Sequence, residues 1–152
     1  MTRVMIDRNS VSTDQGKRLL CPCGRHAGKL TALVVGDCCQ RYLADWNTPA
    51  PDAESLMRSR YTAFVQQRAD YLLATWHAST RPAELDFEPG LKWLGLEVRQ
   101  HRIIDATHAE VEFVARSRLQ GRAIRLHERS RFVREADDQG VLRWYYVDGD
   151  ML

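Results

Sequence analysis

The chain has 152 residues, 44% of them hydrophobic and 28% charged, with a formal net charge of +2. That length suits one domain with a small appendage, and the composition is that of a globular protein rather than a disordered or fibrous one. The longest apolar runs, such as Leu30 to Val35, are far too short to cross a bilayer, and so weak a basic excess argues against a dedicated polyanion binder.

Residues 1–20 carry Arg3, Asp7, Arg8, Asp14, Lys17 and Arg18 with no sustained apolar core. They do not read as a secretory signal and are expected to be a mobile N-terminal extension. A cytoplasmic location is the default expectation, and cytosol keeps thiols reduced.

All four cysteines follow, in two tight pairs between residues 21 and 39. Cys21 and Cys23 flank Pro22 and precede Gly24, the composition of a tight turn in which two sulfurs can approach one ion. Cys38 and Cys39 are adjacent; at the start of a helix their side chains diverge by roughly 100°, so both can reach one ion from the helix end. Four thiolates with no spare fit a closed tetrahedral zinc site of the structural kind. Buried apolar cysteines and a redox pair are the competing readings; the pairing disfavours the first, and the strain of a vicinal disulfide in a reducing compartment disfavours the second. Four thiolates and one zinc ion total −2, which cancels the formal +2, and Arg25, Lys29 and Arg41 are close enough in sequence to balance the local charge. His26 reads as a surface residue that the ligand set does not need.

Pro49 and Pro51 form a stiff link, and Asp52 is placed to cap a helix with Glu54 in its first turn. Leu56, Met57, Tyr61, Phe64 and Val65 recur at helical spacing and form a stripe suited to packing on a sheet. A second helix is expected from an Asp70 cap to about His77, followed by a loop through Pro82, Pro89 and Gly90. From residue 91 the texture becomes that of strands: 94–104, 109–119, 122–135 and 141–149, joined by short turns. In the second, Val111, Phe113 and Ala115 share a face, and Val114 breaks the alternation. In the third, Ile124, Leu126, Glu128, Ser130 and Phe132 share the face that should meet the helices. Glu128 is out of place there: a carboxylate on that face must be paired, and Arg58 or Arg60 could pair with it, or its proton affinity must rise. On the opposite face Arg99, Arg116, Arg118, Arg125, Arg129 and Arg131 stand in phase with Glu97, Glu110 and Glu112, the pattern of a solvated, cross-paired sheet face. Helices followed by a four-stranded meander indicate an α+β fold.

The segments "CPCG", "CC", "LMRSRYTAFV", "DYLLATWHAST", "WLGLEV", "VEFVAR", "HERSRF" and "WYYVDG", in that order over residues 21–150, resemble the YchJ-like family of bacterial proteins. The resemblance implies a SEC-C-type zinc knuckle over 21–47 joined, over 48–152, to a nuclear-transport-factor-2-like domain, a cone of helices packed on a curved four-stranded antiparallel sheet. It matches Cys21, Cys23, Cys38 and Cys39 to the metal ligands and carries no catalytic assignment. The fourteen residues between Cys23 and Cys38 make a longer spacer than the family motif usually has; such a loop still closes at little extra entropic cost.

Three functions are compatible with this reading. One is an interaction or small-ligand-binding module, with the zinc knuckle presenting a rigid surface to a protein partner. Another is a small-molecule enzyme of isomerase, dehydratase or hydrolase type, with Arg58, Tyr61, Trp76, His77, Glu128 and Ser130 converging on a pocket inside the cone. The third is nucleic-acid or ribosome-associated binding through the arginine-rich face.

Overall fold

Very short elements build the cysteine-bearing segment. In the computed structural model, which describes residues 19–152, it holds a two-stranded hairpin, β1 (His26–Ala27) and β2 (Thr31–Ala32), a 3-10 turn at Val35–Asp37 and the helix α1 (Gln40–Ala44). The extension expected over 1–20 lies outside the described residues up to position 18. Leu19 and Leu20 are tied to the knuckle: the Leu19 carbonyl accepts from the Val35 N–H at 2.7 Å, and Leu20 bridges Val34.

The long helix α2 (Ala53–Gln66) starts where the sequence suggests, with an Asp52 carboxylate oxygen accepting from the Ser55 N–H at 2.7 Å. It stops at Gln67, which adopts a left-handed conformation and closes the C-terminus. The helix is buried beyond its apolar stripe. Leu56, Met57 and Tyr61 are covered, but so are Ser55, Ser59, Arg60, Thr62 and Ala63, while Val65 at the far end is exposed. The reason is a second covering layer: the sheet takes one side, and the knuckle with the next helix takes another. Small polar residues occupy that second side because each finds a partner. Ser59 donates to the Leu56 carbonyl at 2.9 Å and shares a hydrogen bond with the Tyr71 hydroxyl.

The helix α3 (Ala69–Ala74) is shorter than expected, and its cap is Arg68 rather than Asp70. Asp70 lies in the first turn, accepting from the Tyr71 N–H and pairing with Arg68. Extension to His77 is blocked because the backbone there is claimed by the last strand: the Thr75 carbonyl accepts from Tyr146 N–H and the Tyr146 carbonyl from His77 N–H.

Four strands, β3 (Lys92–Ile103), β4 (His108–Leu119), β5 (Arg122–Ala136) and β6 (Leu142–Met151), pair in sequence order, all antiparallel. Bulges between Trp93 and Gly95, between Val98 and Gln100, and between Arg131 and Phe132 bend the sheet around the helices. The Gln120–Gly121 turn has positive φ at both residues, the geometry that matches strand twist in a two-residue hairpin. On the inner face Val111, Phe113 and Ala115 of β4 oppose Ser130, Glu128 and Leu126 of β5, so the period-2 reading of both strands holds. Val114 points the other way yet is fully buried, between Glu97 and His127 of the neighbouring strands. One core runs from the four cysteines through Leu56, Met57 and Leu72 to Phe113 and Phe132. Among the described residues no helix is long and apolar enough to cross a membrane.

Candidate functional site

Two places in this frame carry chemistry. The first is the knuckle. The Cys21 carbonyl accepts from the Gly24 N–H at 3.1 Å, closing a tight turn that brings Cys21 and Cys23 side by side. Gly24, at φ +75°, sits where a side chain would strain the backbone. The long spacer folds back on itself as the β1–β2 hairpin, with His26 opposite Ala32, and so returns the chain to its starting point. Cys38 then ends the 3-10 turn and Cys39 opens α1. All four thiols are buried and unbridged, and their sulfurs lie within 4.8 Å of one another.

The spacing discriminates between chemistries. Cys23 and Cys38 sulfurs are 3.6 Å apart, too far for a covalent bond of about 2.05 Å. A tetrahedral ion with metal–sulfur distances of about 2.3 Å sets its sulfurs about 3.8 Å apart, close to the Cys23–Cys38 separation and inside the 4.8 Å span of the cluster. Protonation of the four thiols is interdependent. Hydrogen bonds from the Cys23, Cys38 and Cys39 thiols pull Cys21 down. Against an opposing bond to Cys21, the Cys38 and Cys39 thiols lower Cys23 to about 7. Cys38 and Cys39 are pushed up by their bonds to Cys21 and Cys23, with burial adding to the shift. A bare cluster keeps part of its protons; a bound cation lets all four sulfurs ionise. The donor set therefore fits a tetrahedral metal with no open position.

Backbone contacts lock the knuckle to the helix behind it. Arg58 Nη1 donates to the Cys23 carbonyl at 2.9 Å while its Nε holds Glu54 at 2.8 Å. Arg41 Nε donates to the Cys38 carbonyl, and Arg25 reaches Ser55 and Glu54. Lys29 and His26 are exposed on the hairpin. Thr62 Oγ1 lies 3.7 Å from the Cys21 sulfur.

The second place is a cavity of about 300 Å³ between α2 and the inner face of the sheet. Its walls are aromatic: Tyr61 meets Trp93 edge-on at 5.5 Å, Trp76 meets Tyr146 at 5.1 Å, and Phe132 packs on Tyr146 at 5.9 Å. The charged and hydroxyl-bearing groups among its lining are Arg60, Glu128 and Ser130, with the Tyr61 and Tyr146 phenols, both pushed up to about 12 by burial. Arg60 Nη1 donates to the Leu72 carbonyl at 2.8 Å and to Thr75 Oγ1 at 2.7 Å. Burial lowers Arg60 to about 10, so it stays charged at neutral pH. Ser130 donates to Glu128 Oε2 at 2.5 Å. The Glu128 side chain lies across Gly149, where an added β-carbon would come within 2.8 Å of Glu128 Cδ.

Tyr61, Trp76, Glu128 and Ser130 thus meet in this cavity, whereas Arg58 and His77 do not. Arg58 turns to the knuckle. His77 pairs with Glu135 at 2.8 Å and with Ser79, outside the cavity. Arg60 takes the place expected of Arg58, and the signal was in the spacing: residues 57, 60, 61 and 64 form the i, i+3, i+4, i+7 stripe that faces the sheet. A larger cleft of about 400 Å³ lies between Trp46 and the β5–β6 hairpin, where Asp137 is already paired with Arg143. On the outer sheet face Arg99 and Arg116 pair with Glu97, Arg129 with Glu112, and Arg131 with Asp148 and Asp150.

Known proteins resemble this chain in sequence and fold. The family described as "YchJ, middle NTF2-like domain" matches residues 52–149. A UPF0225 protein of Polaromonas sp. is 69% identical over 132 residues, covering 86% of this chain and 91% of its own. A UPF0225 protein of Bordetella pertussis is 54% identical over 133 residues, covering 86% and 92%. Among solved structures, a SEC-C motif containing protein from Psychrobacter arcticus superposes with a TM-score of 0.73 at 31% identity, covering 88% of this chain and 83% of that one. A second, from Rhodopseudomonas palustris, gives 0.70 at 30% identity, covering 88% and 99%.

Proposed function

Because the chain belongs to the UPF0225 family, whose YchJ-type domain has the NTF2-like fold, we propose that it is a small-ligand-binding module whose knuckle is closed by one structural zinc ion. The observation that carries the reading is the cavity: concave, aromatic, and furnished with a few convergent polar groups, as small-molecule sites are. Zinc suits the knuckle because four thiolates around a tetrahedral ion leave no coordination site for substrate, so the metal holds structure and takes no part in turnover. Binding is favoured over acid–base catalysis because, among the described residues, Glu128 is the one carboxylate in the cavity lining and no histidine joins it. The pairing of Arg99, Arg116, Arg129 and Arg131 with carboxylates weighs against a phosphate-binding footprint. Four reduced thiols suit the cytosol, which we keep as the proposed location.

The test is titration with indole, a neutral aromatic probe, followed by NMR. Shifts at the Trp76 and Trp93 side chains, lost in Ala115→Phe, are expected; an unperturbed wild-type spectrum contradicts the reading. A second role for the knuckle, docking a protein partner, is supported by Leu30, which is 94% exposed at the hairpin tip. Leu30→Ser should then abolish any pull-down that the wild type gives.

A further inference from the structure

The cavity carries two separated charges. Arg60, only 6% exposed, sits on the sheet-facing side of α2 with its guanidinium 5.2 Å from the Trp76 ring centre and 4.7 Å from that of Tyr146. Its Nη1 is engaged by the Leu72 carbonyl and Thr75. Among the described residues its Nε and Nη2 have no acceptor and no carboxylate lies within 4.0 Å of it, yet no buried side-chain nitrogen is sealed off without a partner. Those two nitrogens therefore keep some accessible surface, and the cavity is a space that Arg60 lines. A guanidinium edge resting against two rings presents parallel N–H donors, the geometry that matches a carboxylate.

Glu128 is the other charge. It is near enough to influence Arg60 electrostatically and too far to form an ion pair with it. One of its oxygens accepts from Ser130, and ionised carboxylates have further lone pairs to offer. Its side chain packs on Gly149, where any β-carbon would crowd it. A group reaching Glu128 must donate a hydrogen.

We propose that the cavity selects a small monocarboxylic acid with a hydrogen-bond donor at its far end: a carboxylate on the Nε–Nη2 edge of Arg60, an aromatic or branched apolar body against Trp93 and Phe132, and a hydroxyl or ammonium donor on Glu128. This rests on the small-ligand reading above and adds the chemical class. One guanidinium offsets one negative charge, and Glu128 repels a second, so a phosphate dianion is disfavoured relative to a monocarboxylate.

The experiment is calorimetric titration of the full-length, metal-loaded chain with 4-hydroxyphenylacetate, 4-hydroxyphenylacetamide and phenylacetate at neutral pH. The acid is expected to bind at least about tenfold more tightly than its amide, the difference between a charge-assisted and a neutral hydrogen bond. Removal of the hydroxyl should weaken binding by about fivefold. Arg60→Met should erase the preference for acid over amide. Should that variant fail to fold, the wild-type Arg60 Nε–H resonance supplies the same information, shifting with the acid and not with the amide. Amide and acid binding equally well would overturn the inference and leave the small-ligand reading standing. If neither binds, and indole does not bind either, both fail. A preference that survives Arg60→Met, or an Arg60 resonance indifferent to the acid, assigns the recognition to other residues and overturns the inference.

Discussion

Between Leu20 and Ala44 the longest regular element is a five-residue helix, and its largest fully buried side chain is Leu43. Between Lys92 and Met151 four strands of ten to fifteen residues exchange hydrogen bonds along their whole length and bury Val111, Phe113, Ala115 and Phe132 against the helices. The sheet needs nothing beyond its own chain: cross-strand register and apolar burial define it. The knuckle has too little apolar surface for that. Four inward-facing sulfurs occupy its centre, and in our reading a metal supplies the cohesion that side-chain packing supplies elsewhere. The two regions share one core, yet they should respond to different perturbations.

Stripping the metal should have the largest effect and should fall on one side of the divide. In Cys38→Ser/Cys39→Ser, or under a strong chelator, the knuckle should lose a term that in small zinc sites is on the order of 10 kcal/mol. Elemental analysis alongside thermal unfolding reads both consequences. Leu72→Ala makes the opposite cut: it empties a fully buried position in α3 and should cost about 2–5 kcal/mol in denaturant melts while leaving metal content unchanged. Gly149→Ala sharpens the picture inside the cone. The new methyl meets Glu128, and the expected loss is about 1–3 kcal/mol, partly recovered in the double variant with Glu128→Ala. Asp52→Ala removes the cap of α2, the helix that both regions lean on, and should cost about 1 kcal/mol. The smallest effect concerns pH. A hydrogen bond from Arg143, with N–H donors from Val141 and Gln139, holds the Asp137 carboxyl below the usual carboxylate range. The β5–β6 hairpin therefore gains stability above the unfolded-state value and loses it as pH falls through the lowered folded value. NMR titration of the Val141 amide should follow that loss, and Asp137→Asn should flatten it.

The parts that the sequence displays are those governed by local periodicity. Alternation in β4 and β5 located the inner face, including the inward Glu128, because side chains in a strand alternate regardless of what covers them. The cysteine pairs disclosed their cluster because few other arrangements of thiols are chemically quiet. What stayed hidden depends on distant chain. Ser55, Ser59 and Thr62 lie off the apolar stripe, and their burial follows only from the knuckle and α3 laid over them. The end of α3 is decided by Tyr146, more than seventy residues away in sequence. Arg60 was a different matter: its position in the helical stripe was legible, but an arginine on an apolar face is easily assigned outward, and Arg58 looked equivalent until the Cys23 carbonyl claimed it. Val114 is buried on the outer face, in register with Glu97 and His127, so alternation alone does not foretell its burial.

Amide hydrogen exchange, followed by mass spectrometry with and without a zinc chelator, tests the contrast most directly. The account predicts that removing the metal abolishes protection across residues 20–44 while peptides from β4 and β5 keep theirs. Full protection of Cys21, Cys38 and their neighbours in verified metal-free protein would contradict it, since packing alone would then be holding the sulfurs together.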